Sequence, residues 1–329
     1  MLRKRLLATV SAAIFILTVF CFHTKTAFSA DRCVMEAIEA WNQDISPENK
    51  QIKYDKMAIS PFIFYRATNH LFWQDFANDE RLSTFGTKKT ATWIQGDLHV
   101  ENMGSFCSDE GDVIFDVNDF DETIVADYQY DVWRLATSIV LVARGHNYDE
   151  ETTTEFVNSF SESYLDTLGS YCDSNEEEDT LFTSDNTQGP LKEFLKKVER
   201  KKSREKMLSK WTLEGAFNVE LEKLEAVTDE FRAELRAAWP AYGKTLFGSL
   251  DFDKKKDYFK IKDVAKRLLA GTGSLGTPRY YVLIEGKSKS TADDRILDVK
   301  LQSAPTALSY LSSTVDGQYS NEAKRHCRA

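Results

Sequence analysis

The glycine-rich stretch "GTGSLG", residues 271 to 276, is the feature that most restricts the fold of this chain. In a dinucleotide-binding fold, a G-x-G-x-x-G pattern leads directly into a helix. Here it is followed by Pro278 and then by strand-forming residues from Tyr280 to Ile284. The glycines are therefore predicted to form a turn between two strands, which argues against a dinucleotide-binding fold.

A lysine follows this turn one strand later, as Lys300 in "RILDVK". A glycine-rich hairpin followed by a lysine in an apolar setting is the arrangement that covers and binds nucleotide phosphates in kinases. A plain hairpin turn with a solvated lysine is the alternative that this segment leaves open by itself. The candidate nucleotide-binding residues are Gly271, Gly273, Ser274, Gly276 and Lys300.

A second group of polar residues follows the apolar run from Ala91 to Ile94. It comprises Asp97, His99, Glu101 and Asn102 in "IQGDLHVENMGSF" and Asp116, Asn118, Asp119 and Asp121 in "DVIFDVNDFDET". Carboxylates this close repel one another, so a cation is expected among them. Oxygen ligands with an amide and no cysteine suit magnesium far better than zinc. The alternative is a set of Asx-turns and helix caps that satisfy loop backbone.

The spacing of Asp97 and Asn102 matches the D-x-x-x-x-N pattern of a kinase catalytic loop. At this spacing Asp97 can act as a base or orient an acceptor hydroxyl, while Asn102 holds metal. His99 is expected to orient the loop through a hydrogen bond between its neutral imidazole and Asp97, in preference to touching the substrate.

These loops resemble those of aminoglycoside and choline phosphotransferases, in which a Gly-Asp-x-His stretch replaces the usual catalytic motif of kinases. The segment "DFDETIVADYQYD" is similar to their metal-binding aspartate loop. The resemblance implies that Asp119 binds metal, with Asp116 as the second candidate. It also implies that Asp131, which opens the next helix, braces the catalytic loop.

Five motifs occur in the order found in the bacterial family labelled domain of unknown function 2252: "SPFIFYRA", "GDLHVENMGSF", "DVNDFDET", "GTGSLG" and "ILDVK". The chain is similar to that family from Lys56 to Lys300. The resemblance implies an α+β, protein-kinase-like fold of two lobes in circularly permuted order, because the glycine turn and lysine follow the catalytic loop. Residues 31–250 would form a helical lobe with the catalytic and metal loops, and residues 251–329 a β-rich lobe with the glycine turn.

The chain departs from the family at two places. Arg66-Ala67 stands where the family usually has Arg-Gly, which leaves any role of that turn open. The family also continues beyond the lysine with further elements, so an incomplete small lobe is expected. Glu322 is the candidate acidic partner of Lys300.

The resemblance implies a kinase-like phosphotransferase that uses ATP and Mg²⁺ on an unknown acceptor, either a small molecule or a protein. Three alternatives stay open: a catalytically inactive scaffold that binds a nucleotide or a protein, a metal-dependent phosphohydrolase, and transfer of a nucleotidyl group. The net charge of −10 disfavours a nucleic-acid partner.

The N-terminus has the order of a secretory signal peptide: basic residues 3–5, an apolar run over residues 6–22, and small residues before position 30. Residues 1–29 are thus predicted to be removed on export to the periplasm or medium, or to form a membrane anchor if uncleaved. Export would leave Cys33, Cys107, Cys172 and Cys327 where one or two disulfides can form.

The remaining pattern predicts a helix from Asp131 to Gly145, capped by Asp131, with a core stripe of apolar residues. A mobile acidic loop is predicted from Cys172 to Pro190, followed by helices from Leu191 to about Gly248. Strands are predicted over Tyr258–Leu269, Tyr280–Glu285 and Ile296–Leu301. The core stripe of the first helix is predicted to contain Val132, Leu135, Ile139, Val142 and Ala143.

Overall fold

The structure is a computed structural model. It describes residues 33–311 and 321–327, apart from 78, 109, 202–203, 248–252, 255–256, 258 and 289. The predicted signal peptide or anchor, residues 1–29, lies outside the described residues. No helix within the described ranges is long and apolar enough to cross a membrane. The cysteines at 33, 107, 172 and 327 are exposed free thiols, so the disulfides considered above are not formed.

Helix α1, Val34–Trp41, belongs to one unit, and the chain from Asn42 onward forms a second compact unit. The second unit begins with α2, Pro47–Met57, α3, Pro61–Ala67, α4, Asn69–Phe76, and α5, Glu80–Phe85. Ser46 and Ser60 each accept a hydrogen bond from the backbone N–H three residues later, and a proline occupies the next position in both helices. These caps fix the starts of α2 and α3, which later border the candidate site.

Two small antiparallel pairs carry the polar loops. Strand β1, Ala91–Ile94, pairs with β4, Ile124–Asp127. Between them in sequence, β2, Met103–Cys107, and β3, Val113–Val117, form a hairpin. Ile94 and Ile124 pack with Trp73 of α4 in one buried cluster. The loop after β1 and the loop before β4 are therefore each anchored at one end on this packed cluster.

Helix α6, Gln129–Gly145, begins two residues earlier than predicted, so Asp131 lies in its first turn and does not cap it. The predicted core stripe is wrong in part, since Leu135 and Ala143 are buried but Val132, Ile139 and Val142 are only half-buried. Arg134 and Ser138 are buried in their place. Helix α7, Glu150–Ser170, packs against α6.

The acidic segment after α7 contains a short helix, α8, Glu176–Asp179. It also forms a β-bridge, in which the backbone N–H of Phe115 donates to Phe182 O at 2.8 Å. The helices that follow are α9, Gly189–Lys201, α10, Arg204–Trp211, and α11, Asp229–Phe247. Three short strands interrupt the predicted helical run: β5, Thr212–Leu213, β6, Ala216–Phe217, and β7, Leu224–Ala226.

The largest sheet is antiparallel, with the order β10-β9-β8-β7. Its other strands are β8, Ile261–Arg267, β9, Arg279–Ile284, and β10, Arg295–Lys300, which confirms the three predicted strands to within a few residues. The glycine turn joins β8 to β9, as predicted. A last helix, α12, spans Glu322–His326.

Both faces of this sheet are covered by helices. On one face Ala265, Tyr281 and Leu283 pack with Leu208 and Trp211 of α10. On the other face Val264, Val282 and Ile284 pack with Trp239 of α11. The sheet thus draws on residues from Arg204 onward, before the predicted lobe boundary near residue 250, which itself falls outside the described residues. The fold is α+β with small antiparallel sheets; the two-lobed division stays a prediction.

Candidate functional site

The loop after β1 is held by hydrogen bonds to one carboxylate and from two side-chain donors. Asp131 accepts hydrogen bonds from the backbone N–H groups of Gln95 at 2.6 Å and Gly96 at 3.0 Å. The carbonyl oxygen of Gly96 accepts from Asn69 Nδ2 at 3.2 Å and from Trp73 Nε1 at 3.1 Å. Burial raises the pKa of Asp131 to about 6, against the opposing effect of the two N–H donors. The bracing role that the resemblance implies for Asp131 has these contacts behind it.

Asp97 is paired with an arginine that the sequence did not reveal. Arg134 Nε donates to Asp97 Oδ1 at 2.7 Å, and its Nη2 contacts the same oxygen. Arg134 is only 1% exposed, and its guanidinium lies 4.3 Å from the ring centre of Tyr65. Burial raises the pKa of Asp97, while the charge of Arg134 opposes that rise. Oδ1 is thus occupied, and Oδ2 is the oxygen left to accept a further hydrogen bond.

His99 does not make the hydrogen bond to Asp97 that was expected. Its Nε2 lies 4.0 Å from Asp97 Oδ2, which is too long for a hydrogen bond. Arg66 Nε donates to this nitrogen instead, at 3.2 Å. Burial lowers the pKa of His99 to about 3, so the imidazole is neutral at pH 7, and the neutral form can accept from Arg66. Arg134, and not His99, fixes the Asp97 carboxylate.

Two of the three candidate metal ligands, Asn102 and Asp119, lie in turns that a backbone hydrogen bond joins. Asn118 N donates to Asn102 O at 2.9 Å, which brings Asp119 beside the turn of Asn102. Asn102 is buried, and its Nδ2 donates to the Asp97 carbonyl at 3.1 Å, so Oδ1 is the free acceptor. Asp119 has a left-handed backbone with φ 60° and is exposed. Within the described residues its carboxylate makes no hydrogen bond or ion pair.

Asp116, the second candidate, differs from Asp119 in position. It lies within β3, opposite Gly104, and its Oδ1 accepts from the backbone N–H of Val117 at 2.7 Å. Its exposed carboxylate therefore stabilises the strand's own backbone, two residues before the turn that meets Asn102.

The fit to magnesium rests on few protein ligands. In the part of the chain that the structure describes, no three His, Cys, Asp or Glu side chains come together as a metal site. Mg²⁺, however, is usually bound through one or two carboxylates together with water and substrate phosphates. The free oxygens of Asn102 and Asp119 fit that kind of site and do not fit a site built from protein ligands alone.

Lys300 reaches the same turn from the far end of the sequence. Its ammonium forms an ion pair with Asp121, and the charge of Asp119 also acts on it. Burial lowers the pKa of Lys300, and Asp119 opposes that effect. The pairing expected between Lys300 and Glu322 is wrong, because Glu322 pairs with Arg325 at 2.8 Å.

Arg325 fastens α12 to the turn that contains Asp121. This side chain is 2% exposed, and it donates to Asp121 O at 2.8 Å and to Thr123 Oγ1 at 3.0 Å. It also donates to the carbonyl oxygen of Thr123 and, at 3.3 Å, to Ser303 O. The turn is thereby tied to the last described helix and to the segment that follows β10.

The glycine turn lies against α2 and α3. Lys53 Nζ donates to Gly273 O at 3.2 Å and to Asn42 Oδ1 at 2.8 Å, and Lys56 Nζ donates to Gly271 O at 3.3 Å. Gly271 and Gly276 both have positive φ, of 77° and 90°. Burial lowers the pKa of Lys53 to about 8. No local pattern in the sequence links these lysines to a turn more than 200 residues away, as the separation of 220 between Lys53 and Gly273 illustrates.

Glu122 is a further ionisable group of the site that sequence reasoning missed. Its two carboxylate oxygens accept from Thr306 N at 2.6 Å and Thr306 Oγ1 at 3.0 Å. Burial raises its pKa from 4.5 to about 7, and the charge of Asp97 adds to the rise. The folded protein therefore binds this proton more tightly than the unfolded chain does.

For this reason the free energy of unfolding is expected to fall as the pH rises from about 4.5 to about 7. In Glu122→Gln the amide oxygen can accept from Thr306 N–H and the amide NH2 can donate to Thr306 Oγ1, so both contacts remain without the charge. The variant should stabilise the protein at pH 8 by on the order of 2 kcal/mol, and barely at pH 4.5. Urea unfolding across this pH range measures the difference. Glu150→Gln, at an exposed ion pair, is the control; equal pH profiles for Glu122→Gln and wild type would contradict the assignment.

Comparison with known protein families gives a match to most of the chain. A model of the family described as "Uncharacterized protein conserved in bacteria (DUF2252)" matches residues 46–328. No curated protein matches the chain. No solved structure matches it either.

Proposed function

The chain belongs to this family of uncharacterised bacterial proteins, and we propose that it is a kinase-like phosphotransferase that uses ATP and Mg²⁺ on an acceptor still to be identified. The observation that carries the proposal is the ion pair of Lys300 with Asp121, two residues from Asp119. A lysine after the glycine turn and an aspartate after the catalytic loop meet at one place, as phosphoryl transfer requires. The permuted, two-lobed order is part of the same proposal.

Each group has a distinct role in this proposal. Mg²⁺ would neutralise the charge of the donor phosphates, and Asn102 and Asp119 would hold it. Lys300 and the glycine turn, Gly271 to Gly276, would contact the phosphates. Asp97 would accept the acceptor's hydroxyl proton, or orient that hydroxyl, through Oδ2. His99 would hold Arg66 and the loop in place as a neutral imidazole.

One observation favours the inactive-scaffold alternative. Burial raises the pKa of Asp97, but the charge of Arg134 limits this rise, which makes the carboxylate a weaker base than an unpaired one at the same site. Phosphoryl transfer depends mainly on positioning and charge neutralisation, so an oriented weak base is compatible with activity. Turnover of ATP by the purified protein separates the two functions, since a scaffold would bind the nucleotide without consuming it.

The metal dependence of nucleotide binding tests the proposal and distinguishes the two aspartates. Wild type should bind ATP more tightly with Mg²⁺ than with excess chelator, which isothermal titration calorimetry measures. Asp119→Asn should lose about 10-fold or more of the magnesium-dependent affinity, the worth of one charged contact. Asp116→Asn is the matched control and should keep it.

Absence of any ATP binding by wild type would rule out both the phosphotransferase and the nucleotide-binding scaffold. Equal losses in the two variants would instead mean that Asp119 has no special part in holding the metal. The export of the protein through residues 1–29 is a separate proposal, which N-terminal sequencing of the mature protein checks.

A further inference from the structure

Arg66 lies between the glycine turn and the catalytic loop. A methyl group placed on Gly273 would lie 3.7 Å from the backbone oxygen of Arg66, so α3 borders the turn at this point. The side chain extends to the other loop, where Nε donates to His99 and Nη1 pairs with Glu101. The backbone of Arg66 therefore borders the segment that the proposed function assigns to phosphate, and its side chain contacts the catalytic loop.

The charge of Arg66 acts on Asp97 and His99 of the catalytic loop. Burial raises the pKa of Asp97 and lowers that of His99; the charge of Arg66 opposes the first change and adds to the second. Its ion-pair partner, Glu101, has a side chain that is 56% exposed, while that of Arg66 is 28% exposed. Ion pairs at such exposure contribute little to stability and exchange readily. In the described part of the chain no hydrogen bond reaches Arg66 Nη2, so this donor is open to a further acceptor.

We infer that Arg66 binds the terminal phosphate of the donor nucleotide, which takes the place of Glu101. A guanidinium presents parallel N–H donors that match a phosphate, and a lysine cannot reproduce that geometry. In the free protein, Glu101 neutralises Arg66. The inference rests on the proposed function, and it gives a role to Glu101, which neither the base nor the metal assignment uses.

An anionic acceptor could supply the same oxyanion chemistry, and two nucleotides separate the sources. The dissociation constants of Mg²⁺-ATP and of AMP are measured for Arg66→Met, Arg66→Lys, Glu101→Gln and the control Arg144→Met. Arg144 also pairs with an exposed glutamate, Glu150, but lies at the far end of α6. The melting temperature without ligand reports whether each variant folds.

Arg66→Met should weaken ATP binding by about 10- to 100-fold, the worth of a charged hydrogen bond, and AMP binding by less than about twofold. Arg66→Lys should show an intermediate loss for ATP, and it replaces the methionine variant if that one does not fold. Glu101→Gln should bind ATP as tightly as wild type or more tightly, because the competing carboxylate is gone. Arg144→Met should change neither constant.

If Arg66→Met weakens ATP and AMP binding equally, Arg66 only supports the loops. If the affinity for ATP is unchanged, the oxyanion that Arg66 binds belongs to the acceptor. Either result overturns the inference while the proposed function stands. Weaker ATP binding by Glu101→Gln would also overturn it. If wild type binds no ATP, the proposed function fails, and the inference fails with it.

Discussion

Arg134→Met is expected to lower the free energy of unfolding by about 3–5 kcal/mol, the usual effect of removing one partner of a buried ion pair. The substitution leaves the Asp97 carboxylate without the guanidinium that holds its Oδ1. Methionine fills much of the arginine's volume, so the loss comes from the unpaired charge more than from a cavity. Chemical denaturation of the purified variant at pH 7 measures the effect.

Two further variants separate the charge effect from packing. Arg144→Met removes an arginine from the same helix, where its pair with Glu150 is exposed, and should cost less than about 1 kcal/mol. The double variant Asp97→Asn/Arg134→Met removes both charges and should regain a large part of the stability lost in the single variant. If the double variant is as unstable as Arg134→Met alone, the unpaired charge is not the cause.

Gly96→Ala is expected to destabilise the protein by about 2–5 kcal/mol and to displace the candidate metal turn. Gly96 has φ +78°, and an added Cβ would lie 2.2 Å from the backbone oxygen of Glu122. A backbone atom cannot rotate away as a side chain can, so the turn of residues 119–122 must shift. Thermal unfolding measures the loss of stability, and titration with ATP measures the effect of the displaced turn on nucleotide binding.

Gly111→Ala is the matched control for this substitution. Gly111 also has positive φ, of +99°, but an added Cβ would meet nothing within 4 Å. Its cost is the backbone strain alone, about 1–2 kcal/mol, with no effect on ATP binding. Similar losses in the two variants would mean that the approach of Gly96 to Glu122 has little energetic weight.

The parts of the fold that the sequence predicted are those with a local cause. The strands around the glycine turn follow from β-branched and aromatic residues next to each other, and the turn from glycines before a proline. Helix α6 was predicted nearly to its ends because its apolar residues recur at helical spacing. The buried face of this helix was not predicted correctly, because it carries Arg134 and Ser138. Arg134 donates to Asp97, and Ser138 accepts from the backbone N–H of Val100. Periodicity assigns charged residues to solvent, so it cannot find a buried arginine.

The ion-pair partners of the charged groups could not be predicted, because they lie in segments that are distant in the sequence. Lys300 was matched to Glu322 because that was the acid on a nearby helix, whereas the structure pairs it with Asp121, 179 residues earlier. Arg66 lies in the family motif "SPFIFYRA", but that motif assigns it no role, and nothing near Lys53 in sequence indicates a site. A single sequence carries no record of such distant contacts. The motifs in it predict that Asp97, Asn102, Asp119 and Lys300 share one site, and that grouping stays a prediction.

The hydrogen bonds of Arg325 have a consequence for when the site can form during synthesis on the ribosome. The bonds from Arg325 to Thr123 and Asp121 span 202 and 204 residues. At about 5–20 residues per second, the turn of residues 119–122 is synthesised roughly 10–40 s before Arg325, which binds it. For most of that interval the nascent chain contains Asp97, Asn102 and Asp119 without Lys300, which precedes Arg325 in the sequence. In the proposed function, the site would therefore be complete only after Arg325 has been synthesised and has bound this turn.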